Sequence, residues 1–302
     1  MKISSLVITT LTTISLIFAT TVFAAHHGDE ASAEHNNDKT GITDLARALE
    51  AQDDKARARY QYRNPKQTLE YFGIEPGMKV LEALPGGGWY SKILLPYLGA
   101  KGHLIGVDYA IEMWPHFGGF ANEEFIEKKK EWTTTWVEEA QPWRGELGAN
   151  VSAATFSTIP SEIDGSLDAA LFIRALHNMV RFSDKGTYLE DAMSATFKAL
   201  KPGGIVGIVQ HQAREDRPDS WATGSNGYLK KSTILQTMKA AGFEFVSESD
   251  INANPKDQAS EGDIVWRLPP SLSGAKDNAE LKAKMLAIGE SNRMTLKFRK
   301  PS

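Results

Sequence analysis

The sequence predicts an α/β fold, a doubly wound sheet of mostly parallel strands with helices on both faces. Short apolar runs alternate along the chain with segments of helical periodicity, which is the pattern of such a fold. One run, residues 167–175, is almost continuously apolar, as expected for a strand buried on both faces. The chain has 302 residues, enough for one such domain with insertions or for two small domains.

The strands and helices follow from the apolar runs and from the turn residues between them. Strands are predicted at residues 80–84, 104–109, 151–156, 167–175, 205–210, 243–248 and 294–299. Helices are predicted at residues 43–59, 67–72, 89–98, 112–148 (with loops around it), 187–200 and 232–241. Pro65 ends the first helix, and Gly242 ends the last one. The segment before the final strand is too long for a simple loop.

The first residues have the features of an export signal. Lys2 is followed by an uncharged apolar stretch at 6–23 and by small residues before a cleavage point after Ala24. We expect a signal peptide over 1–24, a flexible polar spacer over 25–44, and a folded domain over 45–302. Threonines dilute the apolar stretch, which favours cleavage over a lasting membrane anchor. The predicted location is periplasmic or secreted, with no stable membrane span after cleavage.

The charge and the cysteine content exclude some classes of partner and site. The formal net charge is -4, so a nucleic acid is not expected as a partner. The basic run 128–130 lies between Glu127 and Glu131 and is interpreted as a solvated helix face. The chain has no cysteine, which excludes disulfides and thiolate metal sites.

A strand, a glycine-rich loop and a second strand form the most informative segment. The first strand contains Glu82 and is followed by Gly86, Gly87 and Gly88, and Asp108 ends the second strand twenty residues later. Glycine allows the backbone to pass close to a ligand. A carboxylate at the end of the second strand can accept hydrogen bonds from both ribose hydroxyls. The segment therefore predicts a nucleoside site, for a dinucleotide or for S-adenosylmethionine.

The order and spacing of several short segments resemble class I S-adenosylmethionine-dependent methyltransferases. The chain is similar in particular to a group of predicted bacterial methyltransferases that carry export signals. The resemblance covers most of residues 45–302 and rests on Val80-Leu81-Glu82, Pro85-Gly86-Gly87-Gly88-Trp89-Tyr90, Gly106-Val107-Asp108, Ile173-Arg174-Ala175-Leu176-His177-Asn178, Leu200-Lys201-Pro202-Gly203-Gly204, Ala240-Ala241-Gly242-Phe243 and Leu296-Lys297-Phe298-Arg299-Lys300-Pro301. It implies a Rossmann-like sheet of seven strands with helical insertions, the last strand being antiparallel and inserted between the fifth and sixth.

The resemblance also implies roles for the glycine loop and the two acids. Glu82 would face the methionine end of the cofactor S-adenosylmethionine, the backbone of residues 86–88 would approach its ribose and methionine, and Asp108 would hold its ribose hydroxyls. Leu84 stands where the family has its first glycine. The family's acid after the third strand is also missing, so adenine contacts would come from Thr155, Ser157 or the backbone.

Candidate catalytic residues are expected at the carboxyl edge of the sheet, where ligands of open α/β folds bind. A histidine with a near-neutral pKa can remove a proton, so His177 or His211 is a candidate general base or a group that orients the acceptor. Alternatively, His177 caps the following helix and His211 is a half-buried strand end. Arg174 could bind an acidic acceptor or pair structurally with Asp168 or Asp184.

Three functions remain open from the sequence. The first is an exported methyltransferase acting on a small molecule or a cell-envelope component. The second is a non-catalytic ligand-binding protein that retains the methyltransferase fold. The third is a nicotinamide-dependent oxidoreductase, whose G-x-G-x-x-G pattern is matched only to its second glycine because Ser91 occupies the third position. His177 and His211 could bind a metal with a nearby carboxylate, but no tight spacing motif supports this, and no metal site is predicted.

Overall fold

The computed structural model describes residues 44–302, which form an α/β fold around one eight-stranded sheet. The strands are β1 (Lys79–Ala83), β2 (His103–Asp108), β3 (Asn150–Thr155), β4 (Leu167–Ile173), β5 (Leu200–Ala213), β6 (Leu229–Lys230), β7 (Glu244–Ser249) and β8 (Arg293–Arg299). Their order is β3-β2-β1-β4-β5-β8-β7, with β6 paired to β5 beside this row. Strands β1 to β5 are parallel, and β8 is antiparallel to both of its neighbours. The predicted fold with a reversed last strand between the fifth strand and its neighbour is thus confirmed, and the two-residue β6 is an additional strand that was not predicted.

Helices occupy the connections between the strands. They are α1 (Leu45–Glu50), α2 (Asp54–Arg57), α3 (Tyr60–Arg63), α4 (Pro65–Phe72), α5 (Ser91–Leu98), α6 (Glu123–Lys130), α7 (Trp132–Arg144), α8 (His177–Arg181), α9 (Tyr188–Ala199), α10 (Lys231–Ala240) and α11 (Ala279–Ile288). Four short helices precede β1, and two helices lie in each of the β2–β3 and β4–β5 connections.

The sheet separates two apolar cores. Val80 of β1 and Leu104 of β2 belong to one core, while their neighbours Leu81 and Ile105 belong to the other. Alternation of side chains along a strand produces this division. Because both faces are covered, the strands read as continuous apolar runs, which is why they could be located in the sequence.

The first predicted helix is divided into three short ones. The carboxylate of Asp44 accepts a hydrogen bond from the backbone N–H of Ala46, and Asp53 accepts one from Ala56. Each aspartate therefore caps the start of a new helix. Asn64, at φ 40°, ends the third helix in a left-handed conformation. Thr43, the predicted cap, lies outside the described residues.

The long helix predicted over residues 112–148 is also divided. A 3₁₀ segment, Ile111–Phe117, is followed by two α-helices, of which α6 begins where the side chain of Asn122 accepts a hydrogen bond from Phe125 N–H. Gly118, at φ 76°, ends the 3₁₀ segment. Positive φ is readily adopted by glycine and is incompatible with a continuous right-handed helix.

The segment between β7 and β8 folds over a small core of its own, in agreement with the expectation that it is more than a loop. It contains α11 and packs Leu268, Ala275 and Met285 together. Arg267 donates to Asp257, whose other carboxylate oxygen accepts the hydroxyl of Tyr228. These contacts fix the segment beside the end of β5.

The predicted signal peptide and nearly all of the predicted spacer lie outside the described residues. Within residues 44–302, none of the helices combines the length and apolar character that a membrane crossing requires.

Candidate functional site

Two non-glycine residues adopt strained conformations at the carboxyl edge of adjacent strands. Leu84, which follows β1, has φ 53°, and Arg174, which follows β4, has φ 62°. The left-handed region costs a non-glycine residue about 1–3 kcal/mol, and such strain is concentrated at functional sites. The backbone N–H of Arg174 donates to Val209 O at 2.6 Å, so the neighbouring strand holds the strained turn in place. Leu84 stands where the resemblance drawn from the sequence implies a glycine, and its φ lies in the region that glycine favours.

The glycine loop is open on one side and packed on the other. Gly86 and Gly87 are exposed, and a Cβ added to Gly87 would meet no atom within 4 Å. A Cβ added to Gly88 would lie 2.2 Å from the ring of Trp143. The first two glycines therefore leave the backbone accessible to a ligand, whereas the third allows α7 to pack on the loop.

Glu82 is a buried carboxylate in β1. It is 4% exposed, and its Oε2 accepts a hydrogen bond of 2.6 Å from the hydroxyl of Ser91. Burial raises the pKa of Glu82 to about 7, although the hydroxyl of Ser91 opposes this effect. In the sequence, Ser91 is only a mismatch to the dinucleotide-binding pattern. In the structure, its hydroxyl orients the carboxylate of Glu82.

Asp108 lies at the end of β2, and its two carboxylate oxygens have different partners. Its Oδ1 accepts the backbone N–H of Tyr109 at 2.8 Å, and its Oδ2 accepts Lys129 Nζ at 2.7 Å. Burial raises the pKa of Asp108, and the charge of Lys129 opposes this. The ammonium of Lys129 also lies 4.2 Å from the ring centre of Trp114. Each carboxylate oxygen can accept more than one hydrogen bond, so Asp108 retains accepting capacity.

Lys129 corrects the interpretation of the basic run as a solvated helix face. Lys128 and Lys130 do pair with surface glutamates of α6. Lys129 points instead towards Asp108 and the aromatic rings. Its spacing of four residues from Phe125 was the available signal, because residues i and i+4 share one face of a helix.

A cavity of about 390 Å³ lies beside Asp108, where adenine contacts are expected. Tyr109, Phe156, Ser157 and Met179 are among the residues that line it. The hydroxyl of Thr155 is held by the hydroxyls of Ser157 and Thr158, each at 2.9 Å, and is satisfied within its own turn. Of the two hydroxyl residues predicted to contact adenine, Ser157 is the one that lines the cavity.

His177 and His211 lie together, with 5.9 Å between their ring centres. His211 Nδ1 is 2.6 Å from the hydroxyl of Ser291, whereas His177 Nδ1 is buried without a hydrogen-bond partner among the described residues. His177 is the first residue of α8, and its side chain makes no capping hydrogen bond there. His211 is half-buried within β5.

The pKa values of both histidines differ from the near-neutral value expected for a general base. Burial and the charge of Arg174 lower the pKa of His177 to about 4. Burial and His177 lower the pKa of His211 well below its usual value. Both rings are neutral at pH 7, and a base with so low a pKa removes protons inefficiently. The two rings are better suited to hydrogen bonding than to proton transfer.

Arg174 does not form either of the ion pairs considered in the sequence. Asp168 pairs with Lys201, and Asp184 pairs with Lys185. Within residues 44–302, no carboxylate lies within 4 Å of the guanidinium of Arg174, and its Nε is buried without a hydrogen-bond partner. The predicted pairing of Arg174 with Asp168 or Asp184 is therefore wrong.

Three more arginines lie near Arg174 and share one carboxylate. Glu290 pairs with Arg59, with Arg63 at 3.1 Å and with Arg293 at 3.4 Å. Burial alone would raise the pKa of Glu290, but the arginines hold it below its usual range. We call these four arginines and Glu290 the arginine cluster. The cluster was not predicted, because its members lie far apart in the sequence, near the first helices, directly after β4 and at or just before the start of β8.

A metal site is not evident in the described part of the chain. No group of three or more histidine, aspartate or glutamate side chains there is arranged to hold an ion. His177 and His211 adjoin arginines, which repel cations.

The chain is similar to a number of solved structures, but only at low sequence identity. No family model and no curated protein matches the chain. The similar structures include the [4+2]-cyclase SpnF (18% identity, 86% of this chain and 92% of that chain, TM-score 0.48). They also include an S-adenosylmethionine-dependent methyltransferase from Aquifex aeolicus (17% identity, 69% of this chain and 93% of that chain, TM-score 0.43). A third is a geranyl diphosphate methyltransferase in complex with GPP and sinefungin (13% identity, 79% of this chain and 78% of that chain, TM-score 0.43). The fold assignment rests on the strand order of this chain and not on these similarities.

Proposed function

We propose that the protein is an exported S-adenosylmethionine-dependent methyltransferase that acts on a small molecule or a cell-envelope component. One observation supports the cofactor most strongly. Two buried carboxylates, Glu82 and Asp108, end adjacent parallel strands on either side of an exposed glycine loop. This combination of acids and open backbone suits a nucleoside with a cationic amino-acid end.

The residues at the edge fit the proposed cofactor. Asp108 would accept the ribose hydroxyls, and the open backbone at Gly86 and Gly87 would lie against the ribose and methionine. The cavity beside Asp108, of about 390 Å³, is within the usual range for small-molecule sites and would take the adenine ring. Glu82 would face the ammonium and sulfonium charges, which favour its ionised form.

S-adenosylmethionine supplies a methyl group on a positively charged sulfur. The protein's contribution is to align the acceptor with that methyl and to exclude water. His177 and His211, both neutral, would orient the acceptor through hydrogen bonds rather than act as strong bases. Arg174 lies next to them and would attract an acceptor of opposite charge.

Ligand binding tests the proposal directly. A ligand present at a hundred times its Kd stabilises the folded state by about 2.7 kcal/mol, so we expect S-adenosylmethionine and S-adenosylhomocysteine, but not NAD, to raise the Tm. Stabilisation by NAD alone would favour an oxidoreductase.

Substitution of Asp108 tests the ribose contact. Asp108→Asn should weaken S-adenosylhomocysteine binding about 10- to 100-fold, as expected for lost hydrogen bonds to a charged group. Asp168→Asn is the matched control, because Asp168 also accepts a lysine and a backbone N–H but lies at the opposite edge of the sheet. Equal affinity of the two variants by calorimetry would contradict the role of Asp108.

The low pKa values of His177 and His211 favour a second candidate, a ligand-binding protein that keeps the fold without catalysis. The two candidates differ in one measurement. A binding protein would retain S-adenosylhomocysteine yet transfer no methyl group from labelled S-adenosylmethionine to any envelope extract or small-molecule pool.

A further inference from the structure

The arginine cluster carries far more positive than negative charge. Arg59 and Arg63 come from the helices before β1, Arg174 follows β4, and Arg293 begins β8. Glu290 pairs with three of them, and its charge also acts on Arg174. The cluster thus contains four guanidinium groups and one carboxylate, which leaves a formal excess of three positive charges. Within the described residues, no second carboxylate lies within 4 Å of any of the four.

Two of the four guanidinium groups are buried, whereas Arg59 and Arg174 are partly exposed. Arg63 is 5% exposed and Arg293 is 3% exposed. Burial and the charge of Arg293 lower the pKa of Arg174 to about 10, so its guanidinium remains protonated at pH 7. Removing a charge from water without a partner costs several kcal/mol. A side chain that keeps such a charge in a strained turn at a ligand-binding edge is expected to serve a ligand rather than stability.

Unsatisfied polar atoms adjoin Arg174. Its Nε is buried without a hydrogen-bond partner in the described structure, and His177 Nδ1 and Gln210 Oε1 have no partner apart from the side-chain contact between these two residues. Most buried polar atoms in proteins have a partner, so a local group of exceptions is informative. These atoms belong to the ends of β4 and β5 and to the start of α8.

The orientation of Arg63 is fixed by an aromatic ring. Its guanidinium carbon lies 4.6 Å from the ring centre of Trp89, and its Nε is held by Glu290 at 3.1 Å. A planar guanidinium held in one orientation is suited to carboxylate or phosphate, whose oxygens match its fork of donors.

We propose that Arg174, assisted by Arg63 and Arg293, binds an oxyanion of the methyl acceptor, either a carboxylate or a phosphate. The assignment to the acceptor rests on the proposed function. Asp108 of β2, Glu82 of β1 and Arg174 after β4 follow one another along the sheet edge. A cofactor that extends from Asp108 to Glu82 has its reactive end next to Arg174, where the acceptor must lie.

Anion titration of the mature protein tests this site. Inorganic phosphate and acetate are titrated separately, with chloride balancing the ionic strength, and binding is followed by calorimetry and by Tm. We expect one of the two anions to bind at least tenfold more weakly to Arg174→Gln than to the wild type. The anion whose binding depends on Arg174 identifies the acceptor group: phosphate indicates a phosphate group, and acetate indicates a carboxylate. Equal binding to both proteins, or no binding to the wild type, would overturn the proposal.

Arg299→Gln is the matched control, since Arg299 lies at the other end of β8 in an exposed pair with Glu244. This variant should bind the anion as the wild type does. Arg174→Gln should have a Tm equal to or above that of the wild type, because it removes a partly buried charge that has no carboxylate within 4 Å. A large loss of Tm would instead assign Arg174 a structural role and count against the proposal.

Titration of S-adenosylhomocysteine separates this inference from the proposed function. We expect the affinity for S-adenosylhomocysteine to change less than twofold when the wild type is saturated with the anion. The same holds when Arg174 is replaced by Gln. Competition between the anion and S-adenosylhomocysteine would show that Arg174 serves the cofactor's own carboxylate, and the proposal would be wrong. If S-adenosylhomocysteine does not bind the wild type but the anion binds through Arg174, the oxyanion site stands and the methyltransferase function fails.

Discussion

The carboxyl edge of the sheet has two regions of opposite charge. The first contains Glu82, the glycine loop and Asp108, and its charged groups are two acids, one of them paired with Lys129. The second is the arginine cluster, in which a single carboxylate pairs with three of the four guanidinium groups. An acidic region suits a cationic ligand and a basic region an anionic one. The difference fits the proposed binding of a cationic cofactor and an anionic acceptor side by side.

The largest effect is expected from removing the carboxylate of the arginine cluster. Glu290→Gln leaves the buried Arg63 and Arg293 and the partly exposed Arg59 without a counter-charge, and breaking a buried pair in this way costs about 3–5 kcal/mol. The free energy of unfolding in urea measures the loss. Glu244→Gln is the control, because Glu244 and Arg299 form an exposed pair worth about 1 kcal/mol or less. A similar loss of unfolding free energy in both variants would show that Glu290 contributes no more to stability than a carboxylate in a surface ion pair.

A somewhat smaller effect is expected at the acidic region and depends on pH. Burial raises the folded-state pKa of Glu82 from 4.5 to about 7. The folded state therefore keeps a proton that the unfolded state releases, and wild-type stability falls as the pH rises from 4.5 through 7. Glu82→Gln cannot ionise, so it should gain about 3 kcal/mol over the wild type between pH 4.5 and 8. A constant difference across this range would show that Glu82 ionises normally.

His177 should produce the opposite pH dependence. Its folded-state pKa is lowered from 6.5 to about 4, so the unfolded state takes up a proton first as the pH falls. The wild type loses stability from pH 6.5 down to 4, and about 1.5 kcal/mol is lost at pH 5.5. His177→Asn should lack this contribution. His211 titrates in the same direction in both proteins. The quantity to measure is therefore the difference in free energy of unfolding between His177→Asn and the wild type, at pH 7.5 and at pH 5.5. If this difference is the same at both pH values, the pKa of His177 is not lowered in the folded state and the prediction is wrong.

The smallest change in stability is expected at the glycine loop. A Cβ at Gly87 enters open space, as it does at Gly119, so Gly87→Ala and Gly119→Ala should both alter the free energy of unfolding by no more than about 1 kcal/mol. Only Gly87→Ala should weaken S-adenosylhomocysteine binding, because a methyl group there narrows the ligand's approach to the backbone. Calorimetry of both variants tests this, and equal affinities would place the ligand elsewhere.

The acidic region was largely predictable from sequence because its residues are close in the chain. Glu82, the glycines and Asp108 fall within one strand–loop–helix–strand unit, whose periodicity fixes their positions along the edge. Lys129 could also have been found from its helical spacing to Phe125. Ser91 had no comparable signal, since its hydrogen bond to Glu82 depends on how α5 packs against β1.

The arginine cluster could not be predicted in the same way. Arg63 and Glu290 are 227 residues apart, and the segment that holds Glu290 has no regular periodicity. Arg174 was recognised as a candidate, but its lack of a carboxylate partner depends on Asp168 and Asp184 pairing with lysines. The lowered pKa values of the two histidines could not be predicted from sequence either, because they depend on burial and on the charge of Arg174.

The contacts of Glu290 and Arg293 with the first helices have a consequence for proteolysis. Arg293 donates to the carbonyl oxygen of Tyr62, and Asn64 donates to that of Ile251. Helix α3 is therefore held in place by residues near the other end of the described chain. A protease that nicks the segment between β7 and β8 would release a helix almost two hundred residues upstream of the cut, and the two ends of the domain should become susceptible to digestion together.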